Sequence, residues 1–181
     1  DRARTEIEVI KQQAQTDLQA GNLIDAEEKL RQVRQLDPSD DETARIYADI
    51  RQRRQIEDRL RQVERDADSK LNSGSSLDAQ GALRAGIDIL REPDVDLPDE
   101  ARSLLDDLLR LGDRGDGLAL SQPDNWEAAQ DLAVRLGRLR AENWAAGRAV
   151  MLVDRWMRLA RDNALVRQVD SATALGDLQD A

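Results

Sequence analysis

The stretch that decides the fold is residues 20–30, which read AGNLIDAEEKL. Gly21 can adopt the left-handed backbone that ends a helix, because it has no Cβ to clash. Ala26 is small enough to let two helices approach closely, and Leu30 is placed to fill the seam between them. The stretch therefore predicts a turn followed by the second helix of an antiparallel helical hairpin.

The pattern around this turn occurs twice, at an offset of 53 residues, and every matched pair keeps its residue type. Neither hairpin can bury its apolar face alone, so two hairpins in register favour a stacked helical repeat. The first copy consists of Ile7, Ile10, Ala14, Leu18, Gly21, Asp25, Ala26 and Leu30, and the second of Leu60, Val63, Ala67, Leu71, Gly74, Asp78, Ala79 and Leu83.

Apolar residues at three- and four-residue spacing predict helices along most of the chain. A stretch without Gly or Pro from Glu42 to Leu71 predicts one helix of about 45 Å, capped by Asp40 or Asp41. Its apolar stripe is interrupted across 51–55, where we expect a kink or an exposed waist. The predicted helices are 5–20, 23–36, 42–71, 77–91, 98–111, 124–141 and 143–161, with a last one that contains Leu165 and Leu175.

The C-terminal part carries the residues that most strongly predict dense packing. Residues 149–153 are apolar on all sides of a helix, so we expect several neighbours to bury them. Trp126, Trp144 and Trp156 are three of only four aromatic residues in the chain. We expect them to fill the core, and interface anchors are the alternative interpretation.

Composition excludes several classes of protein. The chain of 181 residues has no Cys and no His, which excludes disulfide scaffolds, zinc-thiolate sites and His-based catalysis. No Gly-Lys-Ser/Thr follows the Gly-rich stretch, and adjacent carboxylates do not face one another on a helix. We therefore expect no catalytic residue, no cofactor, no metal site and no enzymatic activity. The longest apolar run, 149–153, is too short to cross a bilayer.

The net charge of −10 makes nucleic acid an unexpected partner, since phosphates are bound by clustered Lys and Arg. The best basic cluster, within 51–65, is interrupted by carboxylates at helical pair spacing. Arginine supplies 24 of the 27 basic residues, which favours a GC-rich genome over a preference for bidentate carboxylate pairing, and we expect a bacterial protein. The first residue is Asp, so we expect a segment of a larger protein, and the compartment stays open.

Residues 7–40 resemble a tetratricopeptide repeat, a helix–turn–helix unit of 34 residues. Residues 20–30, followed by Asp37-Pro38, carry the resemblance. Residues 64–91 match more weakly, and the 53-residue spacing leaves one extra helix, placed at 42–55. Residues 124–161 match as a hairpin, with Trp144 and Met151 at the places of Leu23 and Leu30.

The resemblance implies a scaffold that binds a partner peptide or domain in a groove lined by the first helix of each unit. The alternative is that the outward positions are merely solvated polar residues. The matching outward positions are Glu8, Lys11, Gln15 and Gln19 in the first unit, and Arg61, Glu64, Asp68 and Asn72 in the second.

Together these observations predict an all-α array of antiparallel hairpins. We expect tetratricopeptide-like hairpins at 1–111, a linker or long loop at 112–123, and a divergent hairpin with a terminal helix at 124–181. The expected function is a non-enzymatic protein–protein interaction scaffold without membrane insertion. Two alternatives stay open: a structural spacer or self-assembly region forming a homo-oligomer, and a small-ligand sensor with a pocket between hairpins.

Overall fold

A computed structural model describes residues 2–113, 122–141 and 143–179. Within these ranges the chain forms seven helices and no strand, which confirms the all-α prediction. None of the helices in the described part of the chain is long and apolar enough to cross a membrane. The helices are α1 (Arg2–Gln19), α2 (Leu23–Leu36), α3 (Asp41–Asn72), α4 (Ser76–Leu90), α5 (Asp99–Asp113), α6 (Pro123–Leu139) and α7 (Trp144–Gln179).

The chain divides into two compact units, Asp1–Asp58 and Arg59–Ala181, and the division falls inside α3. Each unit contains one copy of the repeated pattern, because the second copy begins at Leu60. Helix α3 runs through 51–55 as one helix. The side chain of Arg54, in this interrupted part of the apolar stripe, reaches Glu27 on α2.

The two copies end their first helices with the same hydrogen bonds. Gly21 and Gly74 have φ angles of 81° and 83°, and their N–H groups donate to the carbonyls of Leu18 and Leu71 at 3.2 and 3.0 Å. The following residues donate five residues back, Asn22 to Asp17 at 2.8 Å and Ser75 to Lys70 at 2.9 Å. These two bonds per turn define a Schellman motif in each copy.

The first unit packs α1 on α2, with Ala14 and Ala26 almost fully buried where the helices approach. Leu23, Leu30 and Ile50 complete this core. Asp40, one of the two residues predicted to cap α3, is the cap. Its carboxylate accepts hydrogen bonds from the Thr43 N–H at 3.3 Å and from the Thr43 hydroxyl at 3.0 Å.

A buried carboxylate joins α2 to α3 in the first unit. Glu27 accepts hydrogen bonds from the Tyr47 hydroxyl at 3.2 Å and from the Arg54 guanidinium. Burial raises the pKa of Glu27, but the bonds from Arg54 and Tyr47 outweigh it and the pKa lies below its usual 4.5. Arg34 and Arg51 lie over the Tyr47 ring at 5.5 and 6.0 Å.

In the second unit α4 packs on α7, α5 on α6, and α6 on α7. The helices approach closely at Gly86 of α4, where a Cβ would lie 2.9 Å from Val63 Cγ1 and 3.1 Å from Leu152 Cδ1. Gly112, near the end of α5, lies against the indole of the buried Trp156. These contacts place the middle of α7 in the core of the unit.

Side chains hold the connection between α4 and α5. Arg102 donates to the carbonyls of Glu92 at 3.2 Å and Val95 at 3.0 Å, and also to those of Arg91 and Leu97. Asn143 donates to the Asp96 carbonyl at 2.8 Å and accepts a bond from the Ala146 N–H at 3.0 Å. Asn143 therefore caps α7 and binds this connection at the same time.

The C-terminal part differs from the prediction in one element. The two helices expected at 143–161 and around 165–175 are one continuous helix, α7. Residues 161–163, between the two predicted helices, contain neither Gly nor Pro, so nothing in them stops a helix. Most of the predicted linker 112–123, namely residues 114–121, lies outside the described residues.

Candidate functional site

Helices α6 and α7 form a hairpin in the second unit. Pro123 stands at the first position of α6, where its missing N–H costs no helical hydrogen bond. The link 140–143 is short, so the two helices run antiparallel. Ala129 and Leu136 of α6 are buried, Ala133 between them is partly buried, and Val134 is exposed.

A groove runs between α6 and α7 and encloses about 610 Å³. Its walls are mainly apolar. We call it the α6–α7 groove. It is lined by Trp126, Gln130, Ala133, Val134 and Leu136 of α6, and by Val150, Met151, Val153, Asp154, Met157, Arg158 and Arg161 of α7.

Two large apolar side chains that line this groove are exposed to solvent. Val134 is 57% exposed and Met151 is 54% exposed. Residues 149–153 were expected to be buried on all sides, and Ala149, Leu152 and Val153 are buried. Met151 is the exception, since more than half of its side chain is open to solvent. The prediction is therefore corrected at Met151, and the open side is the one that faces the groove.

The exposure of Met151 also corrects the proposed match to the first hairpin. Leu30, whose place Met151 was expected to take, is 1% exposed. The buried stripe of α7 passes through Ala149, Leu152 and Trp156, one position away from Met151. Trp156 is in the core as predicted, whereas Trp126 and Trp144 are only partly buried.

Charged side chains border one end of the α6–α7 groove. Arg158 forms an ion pair with Asp154 at 2.8 Å, and both side chains are exposed. The Arg161 guanidinium lies 4.5 Å from the Trp126 ring, a cation–π distance. The three charges sum to +1. The groove therefore combines an apolar wall with a weakly cationic border.

The α6–α7 groove presents an apolar surface with charged side chains at its border. The charged side chains at the groove, Asp154, Arg158 and Arg161, are exposed. In the part of the chain that the structure describes, no group of three or more carboxylates is arranged to hold a metal ion. An open apolar wall flanked by polar groups is typical of a docking surface for another helix.

The structure places the predicted outward residues of α1 mostly in solvent. Glu8, Gln15 and Gln19 are exposed. Lys11 instead forms ion pairs with Asp40 and with Glu42, where its Nζ lies 3.4 Å from the Glu42 Oε2. The hydrogen bond to Asp40 raises the pKa of Lys11, and the same bond lowers the pKa of Asp40.

The corresponding residues of α3 divide into two pairs. Arg61 and Asn72 are exposed. Glu64 and Asp68 face α7, where they accept bonds from Arg148 at 3.0 Å and Arg155 at 2.6 Å. These two carboxylates therefore fasten α3 to α7 within the second unit.

Sequence reasoning did not single out the α6–α7 groove. Its signal was nevertheless present, because a helix that is apolar all round needs neighbours on every side. Which side stays open depends on long-range packing, which periodicity alone does not give.

Comparison of the chain with protein-family models, with curated proteins and with solved structures found no match. The described residues define an all-α protein with an uncovered apolar groove between its last two helices. What this site does is therefore inferred from its own geometry.

Proposed function

We propose that the chain is a non-enzymatic protein–protein interaction module, and that the α6–α7 groove receives an amphipathic helix of another protein chain. The observation that carries the proposal is the uncovered side of α7 at Met151, next to Val134 of α6. A third helix laid along this hairpin would complete the apolar surroundings of residues 149–153.

The chemistry of the groove describes the segment it would accept. The apolar wall requires apolar side chains at i, i+3 or i+4, and i+7 of the incoming helix. Arg161 lies against the Trp126 ring and forms no ion pair or hydrogen bond among the described residues, so its guanidinium N–H groups are available to a carboxylate. The bound helix should therefore carry Asp or Glu at the end of its apolar stripe that reaches Trp126.

The repeated hairpin supports an interaction role in a second way. Both copies share their turn geometry and their buried Ala and Leu positions, as a helical repeat requires. We propose on this basis that the chain is related in architecture to tetratricopeptide-like repeat proteins. The exposed residues Glu8, Gln15 and Gln19 remain a second proposed contact surface, on the first unit.

Site-specific photo-crosslinking tests the groove. A photoreactive phenylalanine analogue is placed at Val134 in the full chain, produced in cells that carry the natural gene, and the crosslinked segment is identified by mass spectrometry. The expected product is a helical segment with the apolar spacing described above. That segment is then synthesised and its affinity is measured by calorimetry.

Matched variants give the test its control. V134E/M151E should weaken the synthetic segment at least about ten-fold, because each Glu puts a charge against the apolar surface. I24E/L36E alters two equally exposed apolar residues of α2 and should leave the affinity within about two-fold. Equal binding to both double variants would reject the groove, as would crosslinking at Ile24 to the same segment.

A further inference from the structure

The uncovered side of α7 continues beyond the groove as a heptad stripe. Its residues follow one another at alternating steps of four and three, the spacing of a coiled-coil seam. Arg155 is partly buried and its guanidinium donates to Asp68 of α3, and the other five are exposed. The stripe consists of Met151, Arg155, Arg158, Asp162, Leu165 and Val169.

The apolar members of this stripe are large and open to solvent. Leu165 is 42% exposed and Val169 is 64% exposed, and Val166 beside them is 58% exposed. Among the described residues Asp162 forms no ion pair or hydrogen bond. The stripe therefore combines exposed apolar side chains with the carboxylate of Asp162, which has no ion-pair partner among the described residues.

The stripe is complementary to itself when reversed. Its residues lie in pairs at two, five and nine positions on either side of Ala160. An antiparallel second copy, centred on Ala160, would place Arg158 opposite Asp162, the stem of Arg155 opposite Leu165, and Met151 opposite Val169. Two-fold symmetry then forms every contact twice.

The parallel alternative is unfavourable. Side-by-side pairing in register would set Arg158 against Arg158 and Asp162 against Asp162 of the second copy. Like charges facing each other across an interface oppose association. The order of charges along the stripe therefore selects the antiparallel arrangement.

We propose that α7 is itself the helix that docks on this surface, so that two copies of the chain associate through antiparallel α7 stripes. The inference rests on the proposed function, since it names the partner of the surface at Met151 and Val134. Residues 151–169 span about 27 Å of helix, so the contact is short. An interface of this size is at the weak end of specific association and the dimer should be concentration-dependent.

Crosslinking through introduced cysteines tests the direction of pairing, because the chain has no cysteine of its own. In M151C/V169C the two thiols of opposing copies face each other, and a short bismaleimide should give a covalent dimer. M151C alone should give little dimer, since its two thiols would be about 27 Å apart. M151C/L36C is the control for random collision. An equal yield of covalent dimer from M151C and from M151C/V169C would overturn the antiparallel proposal.

A charge exchange tests the register by sedimentation equilibrium of the full chain. R158D and D162R should each weaken the dimer at least about ten-fold, because each places like charges opposite one another. R158D/D162R restores opposite charges and should bring the affinity back to within about three-fold. All substituted residues are exposed, so the helical circular dichroism spectrum should not change.

Three results would overturn this inference. They are a chain that is monomeric at every concentration, single variants that dimerise like the parent, and a double variant that is not restored. If the chain is monomeric while the photoreactive group at Val134 still labels a helix of another protein, self-pairing is wrong and the proposed function stands. If the charge-exchange variants confirm the dimer but the photoreactive group at Val134 labels no helix, the proposal for the groove is wrong.

Discussion

At the scale of single residues, Gly21 and Gly74 make the two helical turns possible. Both have positive φ, a conformation that costs a residue with a Cβ about 1–2 kcal/mol. We expect G21A and G74A each to lower the free energy of unfolding by about 1 kcal/mol, measured by urea denaturation.

G81A is the matched control for these two substitutions. Gly81 lies inside α4, has no positive φ and has nothing within 4 Å of its added Cβ. Alanine there should raise the free energy of unfolding by roughly 0.5–1 kcal/mol, because Ala favours a helix interior more than Gly does. If G21A or G74A stabilises the protein as G81A does, the turns do not depend on left-handed glycine.

Gly86 is required for a different reason, the close approach of three helices. Alanine there gains helix propensity but brings its Cβ within 2.9 Å of Val63 Cγ1, and a β-branched side chain has little freedom to move. We expect G86A to be less stable than G81A by about 2 kcal/mol in the same denaturation experiment. Equal stability of G86A and G81A would show that α4 does not pack tightly against Val63 and Leu152.

Glu27 makes the stability of the first unit depend on pH. Its pKa is below 4.5 in the folded chain, so the unfolded chain binds the proton more readily. The stabilisation by ionised Glu27 is therefore present above about pH 4.5 and is lost as the pH falls through the folded pKa. Asp40, whose pKa the Lys11 bond lowers, acts in the same direction.

We expect E27Q to lower the free energy of unfolding by about 1–2 kcal/mol at neutral pH, because the charged bonds to Arg54 and Tyr47 are weakened. The difference from the parent should shrink as the pH falls below about 4.5. E28Q changes the adjacent exposed carboxylate and should stay within about 0.5 kcal/mol of the parent. A constant difference at every pH would contradict the assigned role of Glu27.

At the scale of elements, the connection between α4 and α5 depends on one side chain. Arg102 donates to four carbonyls of this connection, and those of Glu92 and Val95 also accept backbone N–H groups. We expect R102Q to destabilise the second unit by about 2 kcal/mol in thermal unfolding, because the connection loses several hydrogen bonds from a charged donor. R110Q, which alters an exposed ion pair with Asp107, should have an effect below about 0.5 kcal/mol.

Helix ends were the most predictable elements. Helix α2 has the predicted bounds, and Asp40 caps α3, since turns and caps depend on neighbouring residues such as Gly21 and Pro38. The continuity of α7 was not predicted, because the same short polar sequence is compatible with a loop and with the exposed face of a helix. The exposure of Met151 could not be predicted either, since it depends on which helices pack together across the chain.

At the scale of the whole molecule, each compact unit contains one copy of the repeated sequence pattern. The eight outward residues predicted from the resemblance have different surroundings in the two units. In the first, only Lys11 is tied to another element, whereas in the second Glu64 and Asp68 are tied to α7. Packing of α7 on the second copy explains this difference, and sequence comparison of the two copies could not have shown it.

The central claim is that another chain docks on α7 at Met151. The chain has only two methionines, Met151 and Met157, and both line the α6–α7 groove. Methyl NMR of the methionine-labelled full chain therefore reports on this surface with two signals. When a dilute sample is concentrated, or when the crosslinked helix is added, we expect the signal of exposed Met151 to shift, with a smaller change at buried Met157. Association detected by sedimentation or calorimetry with both signals unchanged would contradict the claim.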